Sequence, residues 1–213
     1  ADLSAVQPQV ARLQEAGKTV VLVGNAMGIR GLLGLRDRIR AEAQSAIAAL
    51  HALGICTVML TGDNLRTAQA FARLLGIDDV RAELKPEDKV RAVGQLEREH
   101  GAVLMVGDGV NDAPALAAAT CGMAMGVAGS DAAIEAADIA LMADDLLKVE
   151  EALRLGRKAR RVSMQNIVFS IAILVAMIPL AVAGILGVAV TVLVHEASEL
   201  LAVVNGLRAG RSV

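Results

Sequence analysis

Short apolar runs alternate with segments of helical periodicity over the first two-thirds of the chain. The apolar runs predict strands, and the segments with apolar residues every three or four positions predict helices. The predicted strands are 20–23, 57–60, 102–106, 122–125 and 139–141, and the predicted helices are 41–53, 65–75 and 87–99. This alternation is typical of an α/β fold with a doubly wound parallel sheet, which binds ligands at the carboxyl ends of its strands.

Residues 1–35 fit that alternation less well. The strand predicted at 20–23 is followed by Gly24-Asn25-Ala26-Met27-Gly28 and then by a glycine-spaced segment that ends at Leu35. We interpret this stretch as the edge of a different domain followed by a linker. The N-terminus has no signal peptide pattern, and the chain has no internal repeat.

A different pattern begins at residue 167, because residues 167–194 contain no charged side chain. This run is longer than the roughly 20 apolar residues that a helix needs to cross a bilayer. Pro179, Gly184 and Gly187 interrupt the run, and apolar residues continue to Leu207. The pattern predicts a transmembrane α-helical hairpin that turns near 184–187. A buried hairpin of a soluble protein is the alternative interpretation.

Basic residues flank the hydrophobic segment on both sides: Arg157, Lys158, Arg160 and Arg161 precede it, and Arg208 and Arg211 follow it. Positively charged flanks favour the cytoplasmic side of a membrane. We therefore predict a multi-pass protein of the cell membrane, with both termini and the α/β domain in the cytoplasm.

Composition narrows the function classes further. Hydrophobic residues make up 55% of the chain, aromatic residues only 1%, and the formal net charge is −2. A chain with this charge and so few aromatic side chains lacks the usual means of binding nucleic acid, so no nucleic acid is expected as a partner. Cys56 and Cys121 lie in apolar stretches and are predicted to be reduced core thiols.

The segment GDGVNDAPAL at residues 107–116 follows the strand predicted at 102–106 and opens an alanine-rich helix. Its glycines allow a sharp turn, and the helix start offers free N–H groups to an anion. The carboxylates of Asp108 and Asp112 suit Mg²⁺, which prefers oxygen ligands. The alternative interpretation is a glycine-rich turn with two solvated acids.

Two further motifs stand at a strand end and a helix start. Thr61-Gly62-Asp63 follows the strand predicted at 57–60, so its hydroxyl and amides can bind phosphoryl oxygens, while Asp63 or Asn64 can simply cap the next helix. The segment KPEDK at 85–89 begins another helix, and a lysine there can neutralise a phosphoryl group, although most such lysines are solvated.

Together and in this order, the three motifs resemble the phosphorylation domain of P-type ATPases, a branch of the haloacid-dehalogenase-like fold. Residues 125–126 and 136–141 extend the resemblance, and Asp37 matches the return of the chain from the family's nucleotide-binding domain. The resemblance implies ATP and Mg²⁺ as cofactors. It implies that Asp108 ligates Mg²⁺ with support from Asp112 and Asn111, that Thr61 and Gly62 of the Thr-Gly-Asp motif contact the phosphoryl group, and that Lys89 stabilises its charge.

The same resemblance implies a domain organisation. Residues 1–35 would be the tail of a nucleotide-binding domain with a linker, 36–156 the phosphorylation domain, and 157–213 the membrane hairpin. The expected partners are membrane lipid, the transported metal ion and the remaining ATPase domains, namely the actuator and nucleotide-binding domains and other transmembrane helices.

Polar residues in the second predicted span indicate a metal site. His195, Glu196, Ser198 and Glu199 follow one another closely, and a charged side chain at such a depth costs about 2.5 to 3.5 kcal/mol on insertion scales. Imidazole with carboxylates suits Zn²⁺, Co²⁺ or Ni²⁺ better than Cu⁺. Alternatively, the span sits lower and these groups reach the interface. The string also resembles the His-Glu-Gly-Gly-Thr-like motif of the cobalt/zinc subgroup, from which it departs at three positions.

Several family motifs are absent from these 213 residues: the Asp-Lys-Thr-Gly that carries the phosphorylated aspartate, the Thr-Gly-Glu of the actuator domain, and any Cys-Pro-Cys or Ser-Pro-Cys. We therefore expect part of an ATP-driven transporter of zinc, cobalt, nickel or cadmium that is inactive alone. The alternative is a freestanding, non-catalytic membrane protein that binds metal or Mg²⁺-phosphate, as a remnant or modulator of a complete pump. A soluble phosphatase and a potassium-pump relative are weaker alternatives.

Overall fold

The computed structural model describes residues 4, 6–16, 18–35, 39–107, 110–126 and 131–210. The chain forms two compact units, Ala1–Val149 and Glu150–Val213. The division lies a few residues before position 157, at which the sequence predicts the start of the membrane hairpin, and falls inside a long helix.

Strands and helices alternate along the first unit, and two long helices complete the chain. In chain order the elements are α1 (Gln7–Glu15), β1 (Thr19–Asn25), β2 (Gly28–Leu35), α2 (Ala43–Ala52), β3 (Val58–Leu60), α3 (Leu65–Leu75), β4 (Asp79–Arg81), α4 (Pro86–His100), β5 (Leu104–Gly107), a 3₁₀ turn (Val110–Asp112), α5 (Ala113–Ala118), β6 (Cys121–Met125), α6 (Asp131–Ala136), β7 (Ile139–Leu141), α7 (Leu147–Val182) and α8 (Val188–Gly210).

The strands from β3 onward pair in parallel. β3 pairs with β4, and β6 lies between β5 and β7 in a three-stranded sheet. The predicted α/β fold with parallel strands is confirmed, and each predicted element lies within two residues of an observed one. Strand β4 was not predicted, because it has only three residues and begins with an aspartate.

The glycine-spaced segment after β1 is a strand rather than a linker. β2 pairs antiparallel with β1, with a bulge between Val23 and Gly24, and the two strands connect through Ala26 and Met27. The Asn25 side chain accepts a hydrogen bond of 3.0 Å from the Met27 N–H, which stabilises this tight turn. Asn25 and Gly28 flank the two-residue turn, and the pairing of β2 with β1 outweighs the low strand propensity of the glycines in β2.

The core of the first unit lies between α4, α5, β5 and β6. Val93 of α4, Met105 of β5, Leu116 of α5 and Ala124 of β6 are buried together. Packing is closest at Gly122 of β6, where an added Cβ would lie 2.5 Å from the Leu116 carbonyl oxygen. A glycine is needed there because backbone atoms of α5 occupy the space of a side chain.

The two cysteines differ from the prediction in their environment. Both thiols are free, but Cys56 is exposed and Cys121 is only partly buried, so the expectation of two core thiols is wrong. Cys56 lies in the loop before β3 rather than within the strand, which explains its exposure. Partial burial, followed by the charge of nearby Asp138, raises the pKa of the Cys121 thiol.

Asp78 joins the end of α2 to the start of β3. Its Oδ2 accepts hydrogen bonds from the Thr57 N–H at 2.7 Å and the Thr57 hydroxyl at 2.9 Å, and lies 2.9 Å from His51 Nε2. The Thr57 hydrogen bonds, assisted by His51, lower the pKa of Asp78 from its ordinary value of 3.8 to about 2. These bonds favour the charged carboxylate in the folded state.

We expect the contribution of Asp78 to stability to depend on pH. Because its pKa is lowered on folding, the contribution is fully present above the ordinary value of 3.8 and is lost as the pH falls through about 2. The contribution is measured as the difference in thermal unfolding midpoint between the detergent-purified chain and its Asp78→Asn variant, with circular dichroism as the signal. The midpoint difference should be constant above about pH 4 and shrink toward about pH 2; a constant difference throughout would contradict it.

The second unit is a pair of helices, α7 and α8, that are long and apolar enough to cross a membrane by length and composition. The chain turns between Val182 and Val188, where Gly184 has a positive φ of 71°, so the turn lies at the predicted position. Side chains near one end join the helices. Asn166 Nδ2 donates to the Ala202 carbonyl at 3.0 Å, and Asn205 Nδ2 donates to Asn166 Oδ1 at 2.8 Å.

Candidate functional site

Lys89 and Asp112 form a partly buried ion pair at the carboxyl end of β5. Lys89 Nζ lies 2.6 Å from Asp112 Oδ1, and each side chain is 16% exposed. A charge-assisted hydrogen bond this short is strong, and partial burial protects it from screening by salt. The structure therefore brings together a lysine and a carboxylate that are 23 residues apart in sequence.

The core holds both members of this pair in place. Lys89 precedes the fully buried Val93 by four residues, so both lie on the same face of α4. Asp112 ends the 3₁₀ turn after β5 and leads directly into α5, whose Ala115 and Leu116 are fully buried. The pair thus lies at the edge of the hydrophobic core, where neither backbone can shift without disturbing buried side chains.

Gly107 lies directly against the Asp112 side chain. A Cβ added at Gly107 would be 2.9 Å from Asp112 Cβ and 3.0 Å from its Oδ2. Real Cβ atoms do not approach so closely, so only glycine at this position lets the carboxylate lie against the end of β5. Sequence reasoning assigned the glycines to the turn and missed this contact.

Thr61 and Asp63 follow β3 and are tied to the segment that leads into α4. The Thr61 N–H donates to the Arg81 carbonyl, and the Leu84 N–H donates to the Thr61 carbonyl, both at 3.0 Å. The Glu83 N–H donates to the Asp63 carbonyl at 2.8 Å. The Thr-Gly-Asp loop and the segment just before α4 are therefore one hydrogen-bonded unit.

The side chains of this loop have distinct local roles. The Thr61 hydroxyl accepts a hydrogen bond of 3.1 Å from the Asp63 N–H, which still leaves its proton for another acceptor. Of the two predicted caps of α3, Asn64 is the one used: its Oδ1 accepts from the Thr67 N–H at 3.0 Å. Gly62 is exposed, so its backbone is accessible to a ligand.

The carboxylates fit a hard cation by their chemistry. Asp112 supplies oxygen atoms next to Gly107, the residue that precedes Asp108, and oxygen-only donors are what Mg²⁺ prefers. Asp108 itself lies outside the described residues, as does Asp37. Asn111 is exposed in the 3₁₀ turn beside Asp112.

The polar residues of α8 are only partly brought together. His195 Nε2 lies 3.3 Å from Glu199 Oε1, one helical turn away. The Ser198 hydroxyl donates to the His195 backbone carbonyl at 2.7 Å, a side-chain-to-backbone bond within α8. Glu196 is exposed on α8. Among the residues that the structure describes, no group of three or more His, Cys, Asp or Glu side chains is placed to hold a metal ion.

Comparison with known proteins assigns the family. The profile of the haloacid dehalogenase-like hydrolases matches residues 2–120, more than half of the chain. The chain belongs to this haloacid dehalogenase-like hydrolase family. The matched residues include the Thr61 loop, Lys89 and Asp112, so the family match covers the site described above.

The haloacid dehalogenase-like chain is similar to curated ATPases. It is 49% identical over 210 residues to a probable cation-transporting ATPase G of Mycobacterium tuberculosis. This match covers 99% of the chain and 27% of that protein. It is 44% identical over 205 residues to a probable cadmium-transporting ATPase of Listeria monocytogenes. This match covers 96% of the chain and 29% of that protein. The chain thus spans little more than a quarter of the length of these relatives.

A solved structure agrees with this relationship. A zinc-transporting PIB-type ATPase in the E2.Pi state matches 99% of the chain and 34% of the solved chain, with a TM-score of 0.84 and 39% identity. The predicted relationship to heavy-metal P-type ATPases is therefore confirmed, as is the haloacid-dehalogenase-like fold followed by two apolar helices. The relatives are named for cadmium or cations and the solved structure for zinc; the narrower cobalt/zinc assignment stays a prediction.

Proposed function

We propose that the chain is the C-terminal portion of an ATP-driven pump that moves a divalent transition metal across the cell membrane. The observation that carries the proposal is the Lys89–Asp112 pair at the carboxyl end of a parallel strand, in a chain that continues into two apolar helices. A phosphoryl site and membrane spans in one polypeptide are what a pump coupled to phosphoryl transfer requires.

In this proposal the first unit handles the phosphoryl group. Lys89 places a positive charge where the phosphoryl oxygens arrive, and the Thr61 hydroxyl and Gly62 N–H donate hydrogen bonds to them. Asp108 and Asp112 would hold Mg²⁺, which when bound neutralises phosphoryl charge. Asp63 fixes the loop to the segment before α4 through its backbone, and Asn111 supports the acidic turn.

The second unit contributes to the path of the metal. His195, Glu196, Ser198 and Glu199 are the proposed ligands on this chain, and the described His195–Glu199 pair supplies two of them. A bound zinc ion usually has four ligands, so the remaining ones would come from other transmembrane helices of the pump. The cargo is Zn²⁺, Co²⁺ or Ni²⁺, which the imidazole and carboxylate donors suit, or Cd²⁺, for which a relative is named.

The missing parts of the pump define the proposed partners. The phosphorylated aspartate, the actuator and nucleotide-binding domains and further transmembrane helices would complete it, so we expect the 213 residues alone to form no aspartyl phosphate. The β1–β2 hairpin exposes apolar side chains, including Val23, Leu33 and Leu35. This supports our proposal that residues 1–35 belong to a nucleotide-binding domain, followed by a phosphorylation domain at 36–156 and a membrane hairpin at 157–213.

A chimaera tests the proposal. Replacing the matching segment of the Listeria relative with this chain gives a complete polypeptide; we call it the chimaeric pump. We expect it to form an acid-stable phosphoenzyme from ATP when Cd²⁺ or Zn²⁺ is present, and we expect the purified 213-residue chain to form none. A folded chimaera that forms no phosphoenzyme with any of the four metals would contradict the proposal.

Titration of the detergent-purified chain with Zn²⁺ separates this proposal from a freestanding metal-binding protein. A freestanding protein needs all its metal ligands within the chain, and we expect only weak binding because the chain supplies part of a site. Tight binding of one ion per chain that is lost in the double variant His195→Ala, Glu196→Gln would favour the freestanding protein.

Gly107→Ala in the chimaeric pump should reduce phosphoenzyme formation roughly tenfold or more, because the new methyl group displaces the Asp112 carboxylate. Gly94→Ala is the matched control, since a Cβ at that position in α4 comes no closer than 4.0 Å to its nearest neighbour, Arg98 Nη1. Equal phosphoenzyme levels in the two variants would show that the close contact at Gly107 has no role in the site.

A further inference from the structure

A cationic cavity lies between α7 and α8 in the second unit. It has a volume of about 390 Å³ and is lined by Lys158, Arg161, Val162, Gln165 and Arg208. Both helices contribute cations, and none of the lining residues is acidic. A concave site with three positive charges and an amide is suited to an anion, and guanidinium groups match the geometry of phosphate oxygens.

The Arg208 side chain is held at the cavity by a chain of hydrogen bonds. Its Nη1 donates to Asn205 Oδ1 at 3.0 Å, and Asn205 Nδ2 donates to Asn166 Oδ1 at 2.8 Å. Asn166 in turn donates to the Ala202 carbonyl, which fixes α7 against α8. A guanidinium that is positioned beforehand loses less side-chain entropy when it binds a ligand.

Apolar side chains continue from the cavity along both helices. Ile167 and Val168 of α7 and Val204 and Leu207 of α8 are each more than half exposed. The cavity therefore lies where the basic segment of α7 gives way to the uncharged run that begins at residue 167. A ligand with an anionic head and apolar tails matches both surfaces, whereas a free phosphate ion matches only the first.

We propose that this cavity binds the phosphate of an anionic phospholipid headgroup, with the acyl chains lying along the apolar side chains of α7 and α8. Arg161 and Arg208 donate to the phosphate from the two helices, and Lys158 adds a third positive charge. Basic residues at a membrane boundary also attract anionic lipids without a defined site. The proposal differs from such attraction because it assigns binding to particular arginines.

Native mass spectrometry of the detergent-purified chain tests the proposal. Short-chain phosphatidylglycerol should bind saturably, one molecule per chain, roughly tenfold or more tighter than short-chain phosphatidylcholine or inorganic phosphate. Arg161→Gln and Arg208→Gln should each weaken this binding about tenfold. Arg160→Gln removes the same charge from the same segment outside the cavity lining and should change binding by less than about twofold.

Three outcomes would overturn the proposal. Equal weakening by Arg160→Gln and Arg161→Gln would show attraction by charge alone. Inorganic phosphate binding as tightly as phosphatidylglycerol would show a site for a soluble anion. Unchanged binding in the double variant Arg161→Gln, Arg208→Gln would exclude the cavity. Two controls distinguish a specific loss of lipid binding from misfolding. Arg161→Lys should keep part of the affinity, and each variant should keep the helical circular dichroism of the parent chain.

Discussion

Replacing Lys89 by glutamine lowers phosphoenzyme formation and metal-stimulated ATP hydrolysis in the chimaeric pump by roughly 100-fold or more. The Lys89 side chain is 16% exposed, and its Nζ lies 2.6 Å from Asp112 Oδ1. In such a partly buried place a positive charge stabilises developing phosphoryl charge far better than a neutral amide does. Phosphoenzyme formation is measured with radiolabelled ATP in the presence of Cd²⁺.

Two controls separate this chemical role from a structural one. Lys85→Gln changes an exposed lysine at the start of the same helix and should leave activity within about threefold of the parent chimaera. Lys89→Gln also leaves the Asp112 carboxylate without its cation, which lowers stability.

The double variant Lys89→Gln, Asp112→Asn removes both charges and should recover thermal stability but no activity. Recovery of activity together with stability would contradict a role for Lys89 in phosphoryl transfer.

Replacing His195 by alanine, or Glu196 by glutamine, removes metal stimulation of ATP hydrolysis by the chimaeric pump but leaves phosphorylation by inorganic phosphate intact. These side chains lie in a helix that is apolar enough to cross a membrane. Placing an ionisable side chain there costs free energy, which is offset when the side chain binds an ion. Phosphorylation by inorganic phosphate takes place at the phosphoryl site, to which the first unit contributes, and does not require the metal site to be filled. Parallel assays of the two reactions therefore locate the defect in the membrane unit.

The contact between His195 and Glu199 gives this second prediction a finer test. The 3.3 Å separation between Nε2 and Oε1 places the two groups for a common ion, so Glu199→Gln should also reduce metal stimulation. Thr191→Val is a matched control in the same helix, because the Thr191 hydroxyl donates only to the Gly187 carbonyl at 3.2 Å. Equal metal stimulation in His195→Ala and Thr191→Val would remove α8 from the path of the ion.

The parts of the fold that could be predicted from sequence are those set by local patterns. Helix α3 and strand β7 were predicted to the residue. The bounds of α3 are set by local signals, namely its apolar periodicity, the Asn64 cap and the terminal Gly76. Strand β7 is a short apolar run, which is also a local signal. β2 was missed because glycine lowers strand propensity, although pairing with β1 outweighs that cost. Cys56 was misplaced because an apolar neighbourhood in sequence does not reveal that a residue precedes its strand.

The candidate site likewise has parts that could be predicted from sequence and parts that could not. Motif order indicated Thr61, Lys89 and Asp112 as members of one phosphoryl site, and the structure brings Lys89 and Asp112 into contact. The Gly107 contact and the hydrogen bond between Asn166 and Asn205 could not be read from sequence, because each depends on the distance between two elements. Asn166 and Asn205 lie beside the apolar runs of α7 and α8, and amides in such positions are nevertheless a signal for interhelical bonding.

Transport by the chimaeric pump is the most direct test of the central claim. The pump is reconstituted in sealed vesicles, and the movement of Cd²⁺ and Zn²⁺ across the membrane is followed with and without ATP. We predict ATP-dependent transport of at least one of these ions, lost in both Lys89→Gln and His195→Ala. A chimaera that forms phosphoenzyme and hydrolyses ATP but moves neither ion, nor Co²⁺ or Ni²⁺, would contradict the assignment of this chain to a metal pump.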